Sequence, residues 1–483
     1  MECDDDDEGQ DDSETDSDDS EYEKAIPSSD NMGFIQLSFT VITITLLKCC
    51  LSHKILIATS IASTSHVIPA ASLAEGLLDK GHEVTFVLPK KFSVVPEKAN
   101  TIILSNPVDF IGRFVNRAIN YSSIEMIYKL TELLTVDCKA VSEDQHLKSH
   151  LKSVRYDAII VSSFFQHCLL VTIRKFQKNV PFIIYHPGML VPKLTSSATG
   201  INIWDASYIP VPFMDATDSM DFQQRFQNFF LRLIPSIIFH WAMKPQNEIL
   251  TRNLGPDHED VYHVQKEASF LFVSSNFEFD YPEPITAETI MTGCLQCRPA
   301  KKLPQSLKKI ADESNKHGII VFSLGSVLSN DVFTQGKIDA FIEAFRRIPQ
   351  TVIWHSNTVI QNLPKNVLLQ KWLPMQDILG HPNTRVIISH GGFMTLQETF
   401  FHGVPYLGLP VNGKKSDRIR NVRLAIHRGI GLQLDFDNLT KEDIIEKLNR
   451  LVNDSSYLNS KLTERLRLLI CPAIRKNGVY DLS

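Results

Sequence analysis

Strand and helix signals alternate along most of this chain, and that alternation restricts the fold more than any other feature of its 483 residues. Lys54–Thr59 is a β-rich run. His66–Lys80 has helical spacing at Ile68, Ala71, Leu73, Ala74, Leu77 and Leu78, Gly81 stops it, and His82–Leu88 reads as a second strand. Asp157–Val161 and Pro181–Tyr185 are further short apolar runs. A second series follows the basic, proline-bearing linker Arg298–Pro304: strand Gly318–Leu324, helix Gly336–Arg347, strand Thr351–Trp354, strand Arg385–Ser389, helix Thr395–His402, strand Pro405–Leu409 and helix Asp417–Arg428. Strands that alternate with helices predict parallel sheets with helices on their faces, an α/β protein. Two such series joined by one linker predict a cleft, with ligands at the carboxyl ends of the strands.

Charge separates a head from this body. Residues 1–31 hold 15 of the 55 acidic residues and one base, Lys24, a net of −14, whereas residues 32–483 net +8. A run so acidic and so poor in apolar residues repels itself and reads as a disordered extension, not as part of the fold. Gly33–Leu47 is mostly apolar, shorter than the ~20 residues of a bilayer span, and fits a signal-peptide core that starts at Met32 without a basic n-region. On that reading residues 32–52 are removed, and the mature protein enters the secretory pathway. Asn120, Asn438 and Asn453 head glycosylation sequons, which permit a lumenal location.

Several signals have plain readings. Eight cysteines are too few for a dense disulfide framework, and Cys294 and Cys297 form a CxxC with no zinc-finger partner pair, so it reads as a loop. Arg225–Met243 is rich in Phe, Leu and Ile but broken by Arg232, and it reads as a core or acceptor-site helix, with an interfacial amphipathic helix left open. Asp435-Phe-Asp437 resembles a metal-binding DxD but lies far from the phosphate-type motifs, so no metal is assigned to it.

Three features of the second series point to a nucleotide. Phe322-Ser323-Leu324-Gly325-Ser326 ends a strand, with Gly325 allowing close approach to the backbone and Ser326 offering a hydroxyl. Lys371-Trp372-Leu373-Pro374 sets an aromatic face beside a rigid turn, and Trp372 can stack on a planar base. Ser389-His390-Gly391-Gly392-Phe393-Met394-Thr395 follows a strand and opens a helix, where two glycines expose N–H groups at the positive helix end. Glu398 lies one turn beyond Thr395 on the same face, placed to accept from two neighbouring hydroxyls.

The run Trp372-Leu373-Pro374, Leu379-Gly380-His381-Pro382, Ser389-His390-Gly391-Gly392, Glu398 and His402-Gly403-Val404-Pro405 resembles the UDP-glycosyltransferases, the family-1 enzymes that include the animal UDP-glucuronosyltransferases. The likeness extends from about His53 to Leu468. It implies the GT-B fold: two Rossmann-like domains facing across a cleft, an acceptor domain over 53–298 and a UDP-sugar domain over 299–470, followed by a short tail, 471–483, that lacks the family's membrane anchor. It implies that Trp372 stacks on uracil, that Glu398 holds the ribose, and that Gly325, Ser326, His390, Gly391, Gly392 and Thr395 hold the diphosphate. No metal and no cofactor beyond the UDP-sugar substrate are implied, and no nucleic-acid partner.

In that family a histidine after the first strand is the general base, and here it is His66. An aspartate that orients this histidine ends the strand containing Asp157–Val161, and its position holds Ser162, a hydroxyl without charge. Asp157 lies five residues back along the strand, roughly 16 Å away. Other family positions change too. Asn after the phosphate histidine is Met394, Gln of the Trp motif is Met375, and the sugar-binding Asp-Gln pair is Lys414 and Lys415. An arginine that glucuronosyltransferases carry near Phe270–Val273 is missing, so glucuronic acid is not assigned. Two functions are therefore carried forward: an inverting transferase moving a hexosyl group from a UDP-sugar to a hydroxyl of a small lipophilic acceptor, and a catalytically impaired UDP-sugar-binding protein or partner subunit. The expected location is the lumen of the endoplasmic reticulum. Membrane association and homo- or hetero-oligomerisation stay open.

Overall fold

A computed structural model of the chain describes residues 52–109, 123–163, 165–188, 206–211, 214–277, 280–282, 284–325, 333–411 and 416–458. The acidic head, the apolar segment 32–51, Asn120, Ser326, Lys414, Lys415 and the tail 471–483 lie outside these residues.

The elements alternate as the sequence predicts. The first series is β1 (Lys54–Ala58), α1 (Thr64–Asp79), β2 (Glu83–Leu88), β3 (Asn100–Ile103), α2 (Ser123–Glu143), α3 (Gln145–Ser153), β4 (Ala158–Ser162), α4 (His167–Phe176), β5 (Phe182–His186), α5 (Phe222–Leu254), β6 (Phe270–Val273) and β7 (Thr289–Met291). The second is α6 (Gln305–Glu313), β8 (Ile319–Ser323), α7 (Gln335–Arg346), β9 (Thr351–His355), β10 (Val367–Gln370), α8 (Met375–Leu379), β11 (Thr384–Ser389), α9 (Phe393–His402), β12 (Tyr406–Gly408), α10 (Arg418–His427), β13 (Gly431–Gln433) and α11 (Lys441–Asn453).

The first series forms one sheet in the order β3-β2-β1-β4-β5-β6-β7, and the second another in the order β10-β9-β8-β11-β12-β13. Among the described residues every strand pair is parallel. Parallel sheets are covered on both faces, so their central strands are apolar throughout rather than alternating. All five residues of β8, Ile-Ile-Val-Phe-Ser, are buried. Apolar clusters lie on both faces of each sheet, and one is aromatic: Phe322 stacks on Trp354 at 4.7 Å with Phe341 and Phe345 packed around them.

Strand order identifies where function belongs. In the first sheet the order reverses between β1 and β4, and in the second between β8 and β11. Open α/β sheets bind ligands outside the carboxyl ends of the strands at such points. Those ends carry Thr59 and Ser162–Ser163 in one sheet, and Leu324–Gly325 and Ser389–His390 in the other.

Two readings need correction. The core assignment of Arg225–Met243 fails at its start, because Phe226 and Phe230 in α5 face solvent with Phe222 one turn earlier, forming an exposed aromatic row. Among the described residues no helix is long and apolar enough to cross a membrane. The CxxC is more than a loop: Cys294 and Cys297 form a buried disulfide, as do Cys138 and Cys168.

Candidate functional site

At the switch point of the second sheet everything converges on His390. Its ring fills the space beside two glycines. A Cβ on Gly325 would lie 2.7 Å from His390 Cε1, and one on Gly392 would lie 2.6 Å from it. Gly325 adopts φ +77° and Gly391 +95°, a region that L side chains avoid. Gly391 also lies under α10, with the Arg418 carbonyl 2.7 Å from where its Cβ would stand, and its own carbonyl accepts from Asn421 Nδ2 at 2.7 Å. Gly392 is the N-cap of α9, and no side chain caps the helix end with a hydrogen bond. The first backbone N–H groups of α9 therefore lack intrahelical partners at the dipole's positive end, where an anion binds. Thr395 is half-buried in the first turn.

Burial pushes the His390 imidazole down to about 3, with the Arg418 guanidinium acting in the same direction. At physiological pH His390 is therefore neutral and can offer one N–H rather than a positive charge. Among the described residues its buried Nδ1 has no hydrogen-bond partner. Gly325→Ala tests this arrangement. It should weaken binding of a nucleoside diphosphate such as UDP about tenfold, or 1.4 kcal/mol, and destabilise the fold by about 1–2 kcal/mol through the forced left-handed backbone. Calorimetric titration and denaturant melts read the two effects separately.

Glu398 lies one turn further along α9 and is buried. Burial pushes its carboxyl up to about 8, and nearby Arg298 opposes that rise. Trp372 is exposed, so its ring is open to a ligand. Two residues later Pro374 caps α8. In α8, Asp377 accepts from Arg298 Nη1 at 2.6 Å and from the Lys301 N–H at 2.8 Å. Burial works against the Asp377 carboxylate, yet these two donors hold it below its usual range.

The first sheet brings His66 and Ser162 together. With Thr59 and Tyr185 they line one cavity of about 10 Å³, room for about one water. His66 Nδ1 is buried, and burial alone pushes the ring down to about 4. Among the described residues no carboxylate lines this cavity. Buried Asp137 bonds instead to Ser60 Oγ at 2.8 Å. Burial pushes its carboxyl up to about 7, and the Ser60 hydrogen bond partly counters this. Met394 is half-buried in α9.

Sequence reasoning missed several residues here. Ser163 Oγ and His186 Nδ1 are hydrogen-bonded at 2.6 Å at the ends of β4 and β5. Helix α10 ties the sheets together. Arg420 and Asp280 form an ion pair at 2.7 Å with both side chains 1% exposed, and Arg420 lies over the Tyr281 ring. Arg423 meets Asp215, and Arg428 donates to the carbonyls of Phe277 and Asp280. Gln397, one residue before Glu398, donates to the Ser274 carbonyl beyond β6 at 2.7 Å. Only tertiary packing reveals these partners: Ser163 and His186 sit on neighbouring strands 23 residues apart, and the partners of Arg420, Arg423, Arg428 and Gln397 lie more than 100 residues away in the chain.

Comparison with known proteins gives the family and the fold. A family model described as "UDP-glucoronosyl and UDP-glucosyl transferase" matches residues 53–464. UDP-glucuronosyltransferase 1A9 of Homo sapiens is 29% identical over 409 residues, covering 81% of this chain and 75% of its own. UDP-glucuronosyltransferase 2B7 of Homo sapiens is 28% identical over 422 residues, covering 82% and 77%. Among solved structures, the glycosyltransferase of kitacinnamycin superposes with a TM-score of 0.62 at 16% identity, covering 87% of this chain and 95% of its own. A UDP-glucosyltransferase from Polygonum tinctorium, described as capable of glucosylating indoxyl, superposes at 0.58 and 16% identity, covering 88% and 95%. The structural neighbours share the GT-B fold, and the two parallel sheets seen here have that architecture.

Proposed function

The chain belongs to the UDP-glucoronosyl and UDP-glucosyl transferase family, and on that premise we propose that it moves a hexosyl group from a UDP-sugar to a hydroxyl of a small lipophilic acceptor, with inversion. The observation that carries this reading is the convergence of Gly325, Gly392 and the α9 N-terminus on His390 at a topological switch point. That arrangement suits a diphosphate. Trp372 stacks on the base, Glu398 receives the ribose hydroxyls, and Gly391 and Thr395 complete the anion site, with Ser326 assigned by its motif. His66 takes the proton of the acceptor hydroxyl. The oxygen then attacks the anomeric carbon, and the bond to UDP breaks with its electron pair. Helix N–H groups stabilise the charge growing on the departing diphosphate, so no metal or further cofactor is required.

A second reading has its own support. Family members place a carboxylate beside the base, and Ser162 brings none into the His66 cavity. A protein that keeps the nucleotide site while losing chemistry fits that observation, as a binding protein or partner subunit of active relatives. Residence in a secretory compartment is supported by two disulfides, which persist in oxidising surroundings, and by the exposure of Asn438 and Asn453.

One experiment decides between them. Thermal shift and UDP release are measured together over a panel of UDP-sugars and phenolic acceptors. UDP at one hundred times its Kd should stabilise the chain by about 2.7 kcal/mol, and UDP release should depend on the acceptor. A shift without acceptor-dependent release supports the second reading. No shift by any nucleotide sinks both.

A further inference from the structure

The segment Cys294–Lys301 between the two sheets is bonded to the nucleotide half at several points. Gln296 Nε2 donates to Gln397 Oε1 at 3.1 Å, and Gln397 Nε2 donates onward to the Ser274 carbonyl. The Gln296 carbonyl accepts from Gln376 Nε2 at 2.8 Å, and the Arg298 N–H donates to Gln376 Oε1 at 2.8 Å. The Arg298 guanidinium then pairs with Asp377. At the end of α8 a Cβ on Gly380 would lie 2.5 Å from Ala300 Cβ, so the segment sits directly on the helix. Within it, Cys294 and Cys297 close a turn whose N–H of Cys297 also bonds back to the Cys294 carbonyl at 3.2 Å. Gln296 lies inside that closed turn.

Gln397 and Glu398 are consecutive in α9, so a bond that fixes Gln397 fixes the rotation of the helix and the direction of Glu398. Gln397 is 1% exposed, and its amide is held from both ends. Breaking a buried amide bond leaves its partner unsatisfied, which costs more than the bond itself contributed. Arg298 is the cation whose field reaches Glu398. We infer that Gln296, Arg298 and Gln397 are positioning residues for Glu398, and that the Cys294–Cys297 disulfide holds them in register. This rests on the reading of Glu398 as the group that meets the ribose hydroxyls.

The test compares two nucleotides that differ only there, UDP and 2′,3′-dideoxy-UDP, by calorimetric titration of the full oxidised chain. The parent should prefer UDP. Gln397→Leu and Arg298→Ala should each lower the UDP preference about tenfold while leaving dideoxy-UDP affinity near the parent value, and Arg298→Lys should restore most of it. Cys294→Ser should move the preference in the same direction, and so should phosphine reduction of the parent, which needs no substitution if a variant misfolds. Cys138→Ser, which breaks the other disulfide, should leave the preference intact. Equal loss for both nucleotides would show a merely structural role and overturn the inference, as would an unchanged preference in Gln397→Leu and Arg298→Ala. An unchanged preference in Cys294→Ser overturns the part given to the disulfide. If the parent binds both nucleotides equally, the reading of Glu398 itself fails.

Discussion

His66→Ala is expected to lower acceptor-dependent UDP release by about 10²–10⁴-fold, the usual worth of a positioned general base, while UDP affinity stays at the parent value. The separation follows from placement: His66 lies in the first turn of α1 after β1 of the first sheet, and the residues proposed for the nucleotide follow strands of the second. The same site predicts a gain. Burial holds His66 down at about 4 and no carboxylate offsets it, so the parent base is neutral from pH 5 upward but weak. Ser162→Asp puts a negative charge into the shared cavity. A neighbouring carboxylate favours the imidazolium and raises the pKa of the histidine, and a stronger base near neutrality is a better proton acceptor. Turnover of Ser162→Asp should exceed that of the parent, and the acid limb of its pH–rate profile should move upward from about pH 4. A rate that falls, or an acid limb that stays in place, would reject His66 as a base short of its carboxylate.

Breaking the ion pair between the sheets should have the largest effect on stability. Arg420→Met leaves Asp280 buried without its cation, and removal of one partner of a buried pair costs about 3–5 kcal/mol. Equilibrium unfolding in urea reads that loss. The double variant Arg420→Met with Asp280→Leu should recover most of it, because apolar residues can replace a buried pair at little cost. A single variant as stable as the parent would show that α10 is held by its other contacts, through Arg423 and Arg428.

Much of the fold was legible because strand and helix periods are local. Ile55–Ala58 and Ile319–Phe322 are continuous apolar runs, and both are central strands. The candidate site was legible for a related reason. His390, Gly391, Gly392 and the first turn of α9 are consecutive residues, so they appear as one string. Short edge elements were not legible: β7 and β13 have three residues each, too few to show a period. The exposed aromatic row of α5 is not legible either, because the apolar composition of Arg225–Met243 fits a core, acceptor-site or interfacial helix alike and does not reveal which face a neighbour covers.

By itself the sequence determined the α/β class and the parallel order implied by alternation, and it supplied the candidate residues for a nucleotide, since each depends on neighbours in the chain. Only the tertiary structure decided what surrounds them. It paired Asp280 with Arg420 across 140 residues, and Gln397 with Ser274 across 123. It placed Ser162 in the cavity beside His66, and it closed Cys294 onto Cys297 around Gln296, which donates to Gln397. Charged and amide side chains usually face water, so sequence alone gives such residues no reason to be buried. Their partners are set by which helix docks on which sheet, and that depends on summed packing over both halves rather than on any local pattern.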